Sequence, residues 1–236
     1  VDEFIFPDWS VPPHVRACVT TVAFGNLAPH VGGDAEQAVA NRARLRAQCP
    51  VEPLWLTQVH GTHCVNGATM ATPVEADASF SGQTGAVCAV LTADCLPVLF
   101  SDKAGTVVAA AHAGWRGLAD GVLEATVKAM KVPPSELMAW LGPAIGPASF
   151  EVGADVRSAF VENDPVAADA FTAGDVQDKW LCDLYTLARR RLNACGVSSL
   201  WGGGRCTFAE PAVFYSFRRD NVGRMASLIW LECATA

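Results

Sequence analysis

The chain has 236 residues, 51% of them apolar and 17% charged, a composition that excludes disorder as the main state. Its 17 Lys and Arg against 24 Asp and Glu leave a formal net charge of −7, which argues against nucleic acid or an anionic membrane as the partner. A domain of this length buries about 70–75% of its unfolded surface, so neither a disulfide nor a structural metal is needed merely to fold.

The first apolar run, Ala17–Ala23, is β-branched and predicts a strand. Gly32 and Gly33 lead to Asp34, the expected cap of a helix reaching about Ala47, with Ala38, Val39 and Leu45 apolar and Arg42, Arg44 and Arg46 on the wet face. Leu54–Val59 reads as a strand delivering Gln58 and His60. Ala86–Thr92 and Pro97–Phe100 are buried strands flanking the break at Ala93-Asp94-Cys95. Thr106–Ala111 is a further strand ending at His112, after which Gly114 and Gly117 predict a turn. Leu118–Lys131 has helical spacing and stops before Pro133-Pro134. Met138–Leu141 reads as a strand, Gly153–Glu162 and Asp183–Ala194 as helices, the second closed by Gly196. Gly223–Leu231 fits strand or helix. Gly142–Pro147 is a loop inside a domain and no linker divides the chain, so residues 1–236 are expected to form one α+β domain with mixed sheets.

Nine cysteines, Cys18, Cys49, Cys64, Cys88, Cys95 and Cys182 with Cys195, Cys206 and Cys233, contain no CxxC pair, and an odd number cannot pair fully. Asp2 and Glu3 stand where a secretory leader carries basic residues, so a reduced, cytoplasmic setting is expected. The richest apolar stretch, Gly85–Phe100, carries Asp94 and Pro97 and falls short of the about 18 residues of a membrane helix.

Chemistry concentrates in three segments where strands give way to loops: Gln58-Val59-His60-Gly61-Thr62, Ala93-Asp94-Cys95-Leu96-Pro97 and Ala111-His112-Ala113-Gly114-Trp115-Arg116-Gly117. Two imidazoles and a thiolate, His60, Cys95 and His112, form a three-ligand set for zinc that leaves a fourth position for water or substrate. Spacings of 35 and 17 residues are far wider than those of a zinc finger and favour an open, catalytic type of site. His63 is expected at the surface or behind a ligand, and His14 and His30 in loops.

The segments TQVHGT, LTADCLPVLFSD and AAAHAGWRG resemble the signature of the YfiH-like proteins, also called polyphenol oxidase or laccase domain proteins. The likeness continues through Asn26–Asp34, Asn41–Leu45, Leu141–Gly153 and Cys206–Leu231, nearly the whole chain. It implies a layered α/β/β/α domain similar to the catalytic domain of cytotoxic necrotizing factors, and a metal site, usually zinc, at His60, Cys95 and His112. It also implies phosphorolysis of adenosine, inosine, guanosine and methylthioadenosine, together with adenosine deamination. Copper-dependent phenol oxidation and peptidoglycan editing are further activities credited to such proteins. One departure stands out: relatives carry an Arg-Gly-Gly-rich run after the first strand, where this chain reads Thr20–Asn26 without arginine. Arg116, Arg205, Arg218 and Arg219 are the candidates for holding phosphate or substrate instead.

The sequence therefore leads to a zinc-dependent purine nucleoside enzyme, with Asp94 as the candidate acid–base group. A metal-free hydrolase or deamidase using Cys95 as a thiolate activated by His112 or His60 is the alternative. Five histidines are too few for the usual multicopper cluster, although a Cys/His site takes copper readily. A non-enzymatic role in cell-wall editing is the remaining class. The role of Cys206 stays unassigned.

Overall fold

The computed structural model describes residues 1–69 and 72–232. Two sheets lie face to face between helices. One is antiparallel, ordered Phe4–Ile5, Val15–Thr20, Met225–Leu231, Cys88–Thr92. The other is mixed and six-stranded, ordered Ser199–Gly202, Leu137–Leu141, Leu96–Asp102, Val108–Ala113, Ala78–Ser81, Cys64–Asn66, with parallel pairs at both edges.

Side-chain alternation shows why the layers stack this way, since successive residues of a strand point to opposite faces. Val108 and Ala110 pack between the sheets with Leu99, Val90, Met225 and Ile229. Ala109, Ala111 and Ala113, with Val98 and Phe100, face helices through Leu118, Leu123 and Leu187. On the far side of the antiparallel sheet, Ala89, Ala226 and Leu228 pack with Leu45 and Phe24. The result is an α+β domain with a mixed sheet, as the sequence predicts, in the α/β/β/α order that the family resemblance implies. Its central strands are buried along their full length, which accounts for their near-continuous apolar runs.

Several elements differ from the sequence expectation. The first long strand is Val15–Thr20, and Thr21–Phe24 turns. The Asp34-capped helix is Ala35–Arg46, but Val39 is exposed while Asn41 is buried, because Asn41 donates to the Asn26 carbonyl. Leu54–Val59 contributes only Leu56–Thr57 as strand, since Gln58 turns aside to pair its amide with both backbone groups of Leu91. Gly114 and Gly117 open a helix, Trp115–Asp120, where a turn was expected. Leu118–Lys131 is therefore split between that helix and Val122–Met130, the break being Gly121 at φ +104°. The Gly223–Leu231 ambiguity resolves as the strand Met225–Leu231. No described helix is long and apolar enough to cross a membrane. Eight cysteines are free thiols; Cys233 lies outside the described residues.

Gly121 isolates a purely conformational cost, because a Cβ there meets nothing closer than 3.6 Å. Gly121→Ala should lower stability to urea unfolding by about 1–2 kcal/mol. Unchanged stability would show that this break between helices is not conformationally demanding.

Candidate metal centre

The three chemistry-bearing segments meet at one end of the sheet sandwich. His112 occupies the penultimate position of the strand Val108–Ala113 and, two residues on from Ala110, points between the sheets. Cys95 follows the tight connection between Cys88–Thr92 and Leu96–Asp102. His60 sits in the loop after Leu56–Thr57. His60, Cys95 and His112 each offer a ligand atom, and these atoms lie within 4.8 Å of one another. Cys95 Sγ is 3.7 Å from His60 Nε2, and the two imidazoles meet edge to face with centroids 4.8 Å apart.

That geometry suits a metal. Bonds of about 2.3 Å to sulfur and 2.0–2.1 Å to nitrogen at a tetrahedral angle separate the two donor atoms by roughly 3.6 Å. A soft thiolate beside borderline imidazoles suits zinc or copper and disfavours magnesium or calcium. His63, the other member of the HxxH pair, is exposed and directs Nδ1 to the Glu75 carbonyl, outside the cluster.

One buried carboxylate organises two of the three ligands. Asp77 has no exposed surface and accepts hydrogen bonds from the backbone N–H groups of Val59, His60 and Gly61 at 3.2, 2.9 and 2.7 Å. Its Oδ1 also lies 2.8 Å from His112 Nδ1, which leaves Nε2 to face the cluster. A carboxylate behind a ligating imidazole fixes the ring and raises its basicity. Burial opposes the Asp77 charge, but the bonds from His112 and Gly61 hold its carboxyl below the usual carboxylate range. Burial likewise opposes a thiolate at Cys95, yet the charge and hydrogen bonding of His112, reinforced by His60, pull the thiol down to about 6. Against burial, Cys95 and Asp77 together lift His112 to about 9.

Asp94 does for the Cys95 loop what Asp77 does for the other two. Its carboxylate accepts from Thr207 Oγ1 at 2.6 Å, Ser216 Oγ at 3.0 Å and the Arg218 backbone N–H at 2.6 Å. Both oxygens are engaged, so Asp94, at the cavity wall, is also tied into the framework. His60 at φ +61° and Asp94 at φ +82° both occupy the left-handed region. Close approach matters too: a Cβ on Gly114 would come within 2.7 Å of His60 Cδ2 and 3.1 Å of Cys95 Sγ.

The cluster opens onto a cavity of about 1080 Å³, at the upper end of small-molecule sites. Of the arginines expected there, Arg116 and Arg218 line it. Arg219 does not. Its guanidinium is engaged by the carbonyls of Thr207, Phe208 and Phe214 and by Asp220, which argues for a structural role over the expected substrate one. Arg205 pairs with Glu210 outside the cavity wall. Two arginines that sequence did not single out for this role, Arg42 and Arg224, do line the cavity, as does His30. Asp77 was also missed; its only signal is an acid immediately ahead of the short strand Ala78–Ser81. Cys206 lies apart, its sulfur accepting from the N–H groups of Gly146 and Ala209.

Comparison with known proteins agrees with this architecture. Residues 17–232 match the family described as multi-copper polyphenol oxidoreductase laccase. A protein of Pseudomonas aeruginosa named purine nucleoside phosphorylase is 50% identical, covering 98% of this chain and 100% of that one. Purine nucleoside phosphorylase YfiH of Escherichia coli is 49% identical with the same coverage. The crystal structure of Neisseria meningitidis protein NMB0706 superposes with a TM-score of 0.94 at 48% identity, over 98% of this chain and 100% of that one.

Asp77→Asn should remove the charge behind His112 and loosen the His60 loop, weakening zinc binding about 10–100-fold by chelator competition. Gly114→Ala should also lower zinc content by forcing His60 away from Cys95. Wild-type metal affinity in both variants would contradict the roles given to these residues.

Proposed function

The chain belongs to the family described as multi-copper polyphenol oxidoreductase laccase, and from that premise we propose that it is a metal-assisted purine nucleoside phosphorylase. The observation that carries the proposal is the convergence of His60, Cys95 and His112 on the floor of a cavity walled by aromatic rings and guanidinium groups. About half of its residues are identical to those of proteins named purine nucleoside phosphorylase.

His60, Cys95 and His112 would hold the metal, with zinc best suited to a three-ligand open site. The chemistry such a metal contributes when bound is Lewis acidity toward an oxygen or nitrogen of the substrate. Trp55, Trp115, Phe150 and Phe217 give the wall flat apolar faces of the kind a purine stacks on. Asp77 and Asp94 act as positioning residues, holding the ligand loops and keeping His112 in one orientation. In the reaction a phosphate oxygen forms a bond to C1′ as the C1′–N9 bond breaks. The electron pair leaves with the purine, which takes the proton given up by dihydrogen phosphate, so the products are ribose 1-phosphate and free base. Adenosine, inosine, guanosine and methylthioadenosine share this reacting bond. Adenosine deamination would use the same cavity, with water adding at C6 and ammonia leaving.

A second chemistry has its own observation: Asp77, His112 and a Cys95 thiol lowered to about 6 have the order of a thiol hydrolase triad. The implied likeness to necrotizing factors points the same way by fold analogy. His60 favours the metal: a second imidazole 3.7 Å from the thiol completes a three-ligand set and has no part in the Cys-His-Asp order.

Zinc-loaded protein incubated with inosine and phosphate should yield hypoxanthine and ribose 1-phosphate by chromatography, and adenosine should yield adenine with some inosine. Cys95→Ala should lose both bound metal and turnover. Chelator-insensitive activity that iodoacetamide abolishes would instead establish the thiol hydrolase, and absence of every product would remove the phosphorylase.

A further inference from the structure

The arginines of this protein differ in what meets their charge; outside the cavity, Arg157 lies over Trp180 and Arg189 donates to the Gly202 carbonyl. Arg16, Arg44, Arg190, Arg191 and Arg205, outside the cavity, pair with carboxylates. Those lining the cavity, Arg42, Arg116, Arg218 and Arg224, have no carboxylate partner among the described residues. Each lies over an aromatic ring of the same wall: Arg42 over Trp55 at 4.2 Å, Arg116 over Trp115 at 4.4 Å, Arg218 over Phe150 at 5.5 Å and Arg224 over Phe217 at 5.9 Å. An aromatic face steadies a guanidinium without neutralising it. An acidic protein has thus kept one cleft cationic.

Two of the four differ from the others. Arg116 and Arg218 are exposed, the latter donating to the Glu151 carbonyl, whereas Arg42 and Arg224 are half-buried. Glu52 acts on Arg42, and Cys95 and Asp94 on Arg224, from beyond ion-pair distance. Guanidinium groups stay protonated, so a partly desolvated one without a direct ion pair gains from a ligand that brings the anion into contact. The two are also tied together. Arg42 Nε donates to the Leu27 carbonyl at 2.8 Å, and the Leu27 N–H donates to the Arg224 carbonyl at 3.2 Å. Arg224 N–H is bonded in turn to Asn26 Oδ1. Both residues therefore hang from the segment Asn26–Leu27. Each keeps N–H groups to spare: Arg42 uses only Nε, and Arg224 uses only Nη1, on the Gly223 carbonyl.

We propose that Arg42 and Arg224 form the subsite for inorganic phosphate, with the two forks gripping its oxygens on the wall of the cavity that holds His60, Cys95 and His112. The assignment rests on the phosphorolysis proposed above, because a nucleoside alone brings no anion for this pair. Phosphate suits planar, doubly donating groups better than point charges. Arg116 and Arg218, at the exposed rim, draw the anion in without fixing it.

The test is calorimetric binding of inorganic phosphate to zinc-loaded protein, alongside phosphate and inosine KM values. Arg224→Gln and Arg42→Gln should each weaken phosphate binding and raise phosphate KM about tenfold or more, with zinc content and inosine KM within about twofold of wild type. Arg42→Lys should recover little, because it keeps the charge and loses the fork. Arg157→Gln, an arginine over Trp180 away from the cavity, should leave both unchanged. If Arg42→Gln unfolds through loss of its bond to Leu27, Arg224→Gln carries the test. Phosphate binding indifferent to both arginines, or no binding by the wild type, overturns the subsite. Arginine-dependent phosphate binding without nucleoside cleavage keeps the subsite and removes the phosphorylase, whereas cleavage with an unaltered phosphate KM does the reverse.

Discussion

A single buried carboxylate sets the geometry on which the rest of the site depends. Asp77 takes three consecutive backbone N–H groups of the His60 loop and the Nδ1 side of His112. A fully buried anion is tolerable only when it is paired and hydrogen-bonded on every side, and here the groups that satisfy it are the ones that must be positioned. The cost of burying Asp77 and the precision of two ligands are therefore one fact. The segment bearing Asp77 also joins the site to the core, since Asp77 O accepts from the His112 N–H at 2.7 Å and Ala78 opens a strand antiparallel to Val108–Ala113.

The layers of the fold were legible because fully buried strands write themselves as apolar runs. Cys88–Thr92, Leu96–Asp102 and Val108–Ala113 were found close to their true bounds for that reason. Short edge strands were not. Cys64–Asn66 and Glu151–Gly153 span three residues each, too few for a period to emerge. Glycine misled at Gly114 and Gly117, where a turn signal concealed a helix start. Those glycines answer to contact rather than to chain reversal: a Cβ on Gly117 would stand 2.9 Å from the Gly61 carbonyl.

The site was legible to a different depth. His60, Cys95 and His112 stood out because metal-capable residues where apolar strands give way to loops are few. What holds them did not stand out, because Asp77, Thr207 and Ser216 are ordinary residue types whose meaning comes from distant partners. Thr207 meets Asp94 across 113 positions of sequence. The arginines show the same limit. Arg42 read as the wet face of a helix, and its orientation toward the cavity depends on Leu27 and Trp55, which no local pattern discloses. Arg219 looked equivalent to Arg218 and is absorbed by three carbonyls instead.

Both ligand loops carry backbone conformations that L-residues avoid, at His60 and at Asp94. Such residues cost of order 1–3 kcal/mol each, and persist only where surrounding structure compels them. Hydrogen bonds to a charged group return roughly 1.5–3 kcal/mol apiece. Asp77 gathers three of them from the strained His60 loop itself, and Asp94 gathers three while occupying a strained position itself. The two carboxylates thus offset the strain they sit beside, and an uncharged amide in either place would keep the shape while surrendering most of that return. Strain held in this way has a directional effect. It fixes where His60 and Cys95 sit before any ligand arrives, so that the ordering needed to close a three-ligand centre is completed during folding and binding does not have to supply it.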